Sequence, residues 1–296
     1  MISFVNAKIN LGLNIVGKRA DGYHELETVF YPVGVYNGTP QNPEPFCDIL
    51  EIHPCESIHK DEFTFSGNPI ECPPEKNLVY KAVKAFRAAT ANKNIPVCNV
   101  KVFLDKHIPD GAGLGGGSAD ASFALRLLNN LFNNALSKKD LIKIAHSLGA
   151  DCPFFIENRP VIAHGIGEIM QPVDLNLSGY WAIIVKPKIH ISTKEAFSGV
   201  KLSLPEKPIE EIISLPIEEW DNAGLKNDFE SHIFVIYPRL RDIKQHLLDS
   251  GAIYAAMSGS GSSIFGLFPG GNSTHEIFRE FKNHLYGDCL CFLCKL

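Results

Sequence analysis

From Ala7 to Arg19, in "AKINLGLNIVGKR", apolar and polar residues alternate, which is the period of a strand. "DGYH" then turns, and "ELETVFYPVGVY" continues in extended form. "NGTPQNPEPF" reads as a loop from its Pro, Gly and Asn, and "DILEIHP" and "EFTFSG" read as short strands. In "EKNLVYKAVKAFRAAT" the period changes: Leu78, Ala82, Val83 and Phe86 fall on one helical face. "CNVKVFLDKHI" is a strand running into "PDGAGLGGGS". Past those glycines, Ala121, Ala124, Leu125, Leu128, Leu131 and Phe132 predict a helix. "SKKDLIKIAHSLG" predicts another, with Ser137 and Asp140 in capping-box spacing and Gly149 as its stop.

The second half mixes the two periods. "PVIAHGIGEIMQPV" and "YWAIIVKPKIHI" are strand-like, and "KLSLPEKPIEEIISLPIE" is a proline-interrupted connection, partly helical at most. "YPRLRDIKQHLLDSG" is a helix closed by Gly251. "AIYAAMSGSGSSIFGLF" reads as a strand, a small-residue loop and a strand. "STHEIFREFKNHL" is a helix with Ser273 and Glu276 in capping-box register, and "CLCFLCKL" is a final strand. Strands and helices do not strictly alternate, so the expected class is α+β in two domains, residues 1–158 and 159–296.

Composition narrows the function. The formal charge is −5, with 28 basic and 33 acidic residues among 296, and no basic run marks a nucleic-acid binder. No leader-like N-terminus or membrane-length apolar run is visible, so a cytoplasmic protein without membrane partners is expected. The cysteines are then expected as free thiols, with Cys289, Cys291 and Cys294 part of an apolar strand rather than a metal site.

The densest chemistry is the glycine loop. A strand, bare backbone and a helix N-terminus form a generic anion site. Gly111, Gly113 and Gly116 fit the dinucleotide spacing G-x-G-x-x-G, but a second helix follows where that motif needs a strand. Gly111, Gly116 and Ser118 fit the Walker A spacing, but Gly117 stands at its obligatory lysine. "PDGAGLGGGS", with "AKINLGL" before it and "MSGSGSSIFGLF" after it, resembles the three ordered motifs of the GHMP small-molecule kinases. "RADGYHELET", "KNLVYKA", "GADCPFF" and "GIGE" resemble the branch acting on 4-diphosphocytidyl-2-C-methyl-D-erythritol, in the non-mevalonate route to isoprenoid precursors.

That resemblance implies the two-domain GHMP kinase fold, with the active site in the inter-domain cleft and a nucleotide-binding N-terminal domain. It implies ATP and Mg2+ as cofactors and phosphorylation of the acceptor's 2-hydroxyl. By the same resemblance Asp151 is the base and Lys8 steadies its charge and that of the transferred group. Asn77, Lys106, Pro109, Gly111, Gly113, Leu114, Gly115, Gly116, Gly117 and Ser118 would hold ATP. Asn10, Tyr23, His24, Phe30, Gly259, Ser260 and Gly261 would hold the cytidine-diphosphate-linked acceptor. The familiar pattern has two serines before Asp120, whereas this chain has Ser118 then Ala119, so no metal ligand is assigned. Asp120 could ligate magnesium or be a first-turn acid favourable to the helix dipole, of which the second is preferred, and Cys152 reads as buried and inert. The rivals are a GHMP kinase for homoserine, mevalonate or a sugar, and a non-catalytic nucleotide sensor. The "ADGYH" turn argues against the first, and the presence of both Lys8 and Asp151 against the second.

Overall fold

The computed structural model describes residues 1–35, 46–55, 59–70, 72–200, 202, 204–285 and 288–296. The expected loop over residues 37–46 lies, but for Phe46, outside them. The described chain forms two compact units: residues 1–7, 35–110 and 115–159, and residues 8–34, 111–114 and 160–296.

The first unit carries a four-stranded sheet of β1 (Ile2–Val5), β4 (Asp48–Pro54), β6 (Val100–Lys106) and β5 (Glu62–Gly67), in that order. β4 runs antiparallel to β6, and β5 parallel to it. Four helices accompany the sheet: α1 (Leu78–Ala91), α2 (Gly116–Leu131), α3 (Lys138–Leu148) and α4 (Cys152–Glu157). α1, α3 and α4 pack on α2, which also meets β1 and β4. The Ser137–Asp140 capping box forms, each residue's side chain accepting from the other's backbone.

The second unit has two sheets. One orders β2 (Ala7–Lys18), β3 (His24–Val33), β7 (Val161–His164) and β8 (Ile169–Pro172). β3 pairs antiparallel with β7 through Thr28–Ala163, Val29–Ile162 and Phe30–Val161, so residues 8–34 join the later chain. The other orders β10 (Tyr254–Met257), β11 (Ile264–Pro269), β9 (Tyr180–Lys186) and β12 (Leu290–Lys295). Leu13 and Ile15 of β2 share a core with Ile183, Val185, Met257 and Leu293. Around it stand α5 (Thr193–Ser198), α7 (Glu230–Ile236), α8 (Pro238–Asp249) and α9 (Asn272–Glu280), while α6 (Ile209–Ile213) meets β3. The capping box expected at Ser273 and Glu276 does not form. α9 begins a residue earlier, behind Gly271 and without a side-chain cap, so Ser273 already lies inside the first turn. Thr274 Oγ1 instead donates to Pro269 O at 2.7 Å.

The eight cysteines form no disulfide with one another, and β12 contains Cys291 and Cys294 as an ordinary strand. Burial pushes the Cys291 thiol up to about 12.

Candidate active site

Alternation along β2 sends Lys8 and Asn10 to one face. Both are nearly inaccessible, 4% and 2% exposed, so their polar atoms need partners. Lys8 Nζ donates to Asn10 Oδ1 at 2.5 Å and lies 4.9 Å from the centre of the Phe30 ring. Asn10 Nδ2 donates to Thr28 Oγ1 at 3.0 Å, and Thr28 Oγ1 donates onward to Gly12 O at 2.5 Å. A polar relay therefore runs through the middle of an apolar sheet, with Lys8 at one end.

Two loops close on β2. The Lys8 N–H donates to Leu114 O at 2.9 Å and the Ser263 N–H to Ala112 O at 3.2 Å. Ser258 Oγ donates to Gly113 O at 2.8 Å and accepts from the Asn10 N–H at 3.3 Å. Gly113 has φ +77°, and a Cβ built on it would stand 1.9 Å from Ser258 O, so the approach of the two backbones requires glycine. A Cβ on Gly259 would lie 3.4 Å from Asn10 Oδ1. Within this unit the structure thus gathers Lys8, Asn10, Gly113, Leu114 and Gly259. Ser260 and Gly261 continue the small-residue loop, and Gly111 lies against His190.

At the β2–β3 turn, Tyr23 is 60% exposed, its N–H donating to Asp21 Oδ1 at 3.1 Å. His24 stacks on Phe197 of α5, ring centres 4.7 Å apart and planes 16° apart. Phe30 is buried beneath Lys8.

In the other unit, Gly115 takes φ +72° at the N-cap of α2 and offers no side-chain cap. The first amides of a 16-residue helix, at Gly116, Gly117 and Ser118, are therefore left for another acceptor. A Cβ on Gly116 would stand 2.9 Å from Ile108 Cγ2 and 3.3 Å from Lys106 Nζ. Lys106 is buried, donating to Asp48 Oδ2 at 2.5 Å and Asp120 Oδ2 at 2.7 Å. Asp48 Oδ1 also accepts from the backbone N–H of His107 (2.6 Å) and Ile108 (2.8 Å). The triad ties the end of β6, and hence the start of the loop at Pro109, to β4 and α2. Burial pulls the Lys106 ammonium down, but Asp120 and Asp48 more than offset this and hold it above the ordinary lysine value. Burial pushes Asp120 well above the ordinary carboxylate value, the Lys106 charge opposing it. Asp120 is thus a buried partner of Lys106 and not the first-turn acid expected from the sequence, because α2 begins at Gly116 and places it in the second turn.

Asn77 caps α1, its Oδ1 accepting from Val79 N at 2.8 Å. Asp151 is half-buried at the N-cap of α4 and makes no capping hydrogen bond there. Cys152 is fully buried, and burial pushes its thiol up to about 11, which makes it inert as expected.

Sequence reading missed Thr28, Asp48, Phe197, Ser258 and the run "NDFE". Asn227 is 2% exposed, Asp228 Oδ2 accepts from Ile15 N at 2.8 Å, and Glu230 Oε1 accepts from Met257 N at 2.7 Å. A usable signal was there: three chargeable or amide side chains packed around Phe229 are too polar for a core and too compact for a solvated loop.

Among the described residues no helix is long and apolar enough to cross a membrane, and no cluster of three acidic, His or Cys side chains could hold a metal ion. The GHMP kinases N terminal domain family matches residues 77–159, and the GHMP kinases C terminal family residues 215–287. The chain is 51% identical over 269 residues to the 4-diphosphocytidyl-2-C-methyl-D-erythritol kinase of Bacteroides fragilis, covering 90% of this chain and 92% of that one. It is 47% identical over 289 residues to the same kinase of Parabacteroides distasonis, covering 98% and 97%. A crystal structure of 4-(cytidine 5'-diphospho)-2C-methyl-D-erythritol kinase superposes over the whole of both chains with TM-score 0.79 at 29% identity. The Methanococcus jannaschii mevalonate kinase, covering 100% of this chain and 98% of its own, superposes with TM-score 0.69 at 14% identity, a likeness of fold alone.

Proposed function

We infer, because this chain belongs to the 4-diphosphocytidyl-2-C-methyl-D-erythritol kinase family, that it transfers the γ-phosphoryl group of ATP to the 2-hydroxyl of that acceptor. The observation that carries the reading is the junction of β2 with two glycine loops, where a buried lysine lies beside backbone segments packed too closely for a Cβ at Gly113.

Each group has a physical task. The uncapped amides of α2, with Gly115, Gly116 and Gly117, suit the ATP phosphates, and Ser118 adds a hydroxyl at the same helix end. Mg2+ would be held chiefly by phosphate oxygens and water, which fits a chain with no acidic cluster among its described residues. Bound there, it supplies charge neutralisation for the transferred group. Lys8 adds fixed positive charge, and Asn10 holds the Lys8 ammonium in direction. Asp151 accepts the proton of the acceptor hydroxyl, a role that needs an ionised carboxylate within hydrogen-bond reach. Tyr23, His24 and Phe197 offer ring faces and a polar edge suited to cytosine. Phosphoryl transfer asks the protein mainly for such positioning and charge.

Phosphorylation assays with the cytidine-linked methylerythritol, mevalonate, homoserine and galactose side by side test the reading. Turnover confined to the cytidine-linked acceptor supports it. Preference for any other acceptor overturns the substrate, and no turnover on any of them favours the sensor.

A further inference from the structure

The side-chain amide of Asn227 is fully committed to one loop. Its Nδ2 donates to Met257 O at 2.7 Å and to Gly259 O at 2.8 Å, one hydrogen to each carbonyl. Its Oδ1 accepts from Phe229 N at 3.0 Å. A flipped amide would turn oxygen toward two carbonyls, so this orientation is the one the surroundings permit. Asn227 is itself held fast. It forms a parallel bridge with Leu13 of β2, flanked by Leu13 N donating to Lys226 O at 2.8 Å and Asp228 N to Leu13 O at 2.8 Å. Glu230 holds the other side of Met257 by accepting its N–H at 2.7 Å.

One side chain therefore joins β2, which carries Lys8 and Asn10, to the small-residue loop. Its effect on that loop is directional. In a trans peptide the C=O and the following N–H point opposite ways. With Gly259 C=O turned to Asn227, the Ser260 N–H points away from it, and it makes no backbone hydrogen bond among the described residues.

Resting on the kinase reading above, we propose that Asn227 is a positioning residue for the acceptor: it sets the Gly259–Ser260 peptide so that the Ser260 N–H is presented to an anionic oxygen of the cytidine-diphosphate-linked substrate. The residue touches no reacting atom. It acts by fixing the one peptide plane whose rotation would replace a donor with a carbonyl oxygen, an acceptor where an anion must sit.

The test compares the parent enzyme with Asn227→Asp and Asn227→Ala, measuring KM for each substrate and kcat. Asn227→Asp keeps the shape but sets a carboxylate against two carbonyls. The expected result is a rise of roughly 10- to 100-fold in KM for the acceptor, the scale of a small misplacement in a binding site, with KM for ATP within about threefold. General loosening would raise both KM values together, and that result, or unchanged acceptor kinetics in a folded variant, overturns the proposal. Should neither variant fold by circular dichroism, the parent decides. The Ser260 amide resonance is expected to move when the cytidine-linked acceptor is added without ATP, and a resonance that stays put overturns the proposal. A parent that phosphorylates none of the acceptors overturns the kinase reading first and takes this inference with it.

Discussion

The hydroxyl of Ser258 donates to the carbonyl oxygen of Gly113 at 2.8 Å, joining two loops 145 residues apart in the chain. Each loop is glycine-rich for the same reason: backbone meets backbone, and a Cβ at Gly113 would overlap Ser258 O. Gly113→Ala also strains a residue at φ +77°. It is expected to cost about 1–3 kcal/mol, the scale of overpacking, whereas Ser258→Ala loses two hydrogen bonds, to Gly113 O and from the Asn10 N–H, each worth about 0.5–1.5 kcal/mol. Urea unfolding of both variants checks these costs. An alanine at Gly113 that leaves stability unchanged would mean the two loops part without cost.

Asp151→Asn preserves shape and removes the proton acceptor. A positioned base contributes about 10²–10⁴-fold, so kcat is expected to fall within that range while ATP affinity holds. Steady-state kinetics together with calorimetric ATP binding decide it. A variant within about threefold of the parent would remove Asp151 from proton transfer.

The buried triad predicts both stability and its pH dependence. Asp48→Ala removes one of the two buried carboxylates that hold the Lys106 ammonium and leaves the His107 and Ile108 amides without their acceptor, and should cost about 3–5 kcal/mol. Asp120 gives the sign of the pH effect. Burial raises its folded pKa above the value of 3.8 it has when solvated. From about pH 4 upward the folded chain therefore holds a proton that the unfolded chain releases, and this group's contribution to stability falls as pH rises until it too ionises. Asp120→Asn should flatten that slope. Denaturation midpoints measured from pH 4 to pH 8 in parent and variant test it, and parallel curves would show that Asp120 does not supply the proton.

The stack of His24 on Phe197 gives the base-recognition prediction. If these rings read cytosine, His24→Ala leaves an edge group of the base unpaired and weakens the cytidine-linked acceptor by roughly 1–3 kcal/mol. KM for ATP should stay nearly constant. Phe197→Ala should lower affinity for cytosine- and uracil-linked acceptors alike, because stacking reads a ring face rather than its edge. Replacing cytosine by uracil should therefore hurt the parent and Phe197→Ala, but hurt His24→Ala much less. Equal discrimination between the bases in parent and His24→Ala would exclude His24 from recognition.

What the sequence determined alone was whatever depends on neighbouring residues. Alternation in "AKINLGLNIVGKR" predicts β2 and puts Lys8 and Asn10 on one face, because side-chain direction in a strand is set by the pleat. The glycines followed by a helical stripe predict a helix N-terminus at α2, and Ser137 with Asp140 specifies a cap three residues away, because these are features of a single turn. Tertiary structure decided the partners of buried polar groups. Lys106 reads as an available cation until Asp48, 58 residues away, is seen to hold it. The role of Asn227 emerges only when the carbonyls of Met257 and Gly259, 30 and 32 residues on, are found against its amide. The pairing of β3 with β7, which groups residues 8–34 with the later chain, is of the same kind. A buried donor or acceptor must be satisfied, but local periodicity says only that a side chain points inward. Which atom it meets there depends on where distant segments pack.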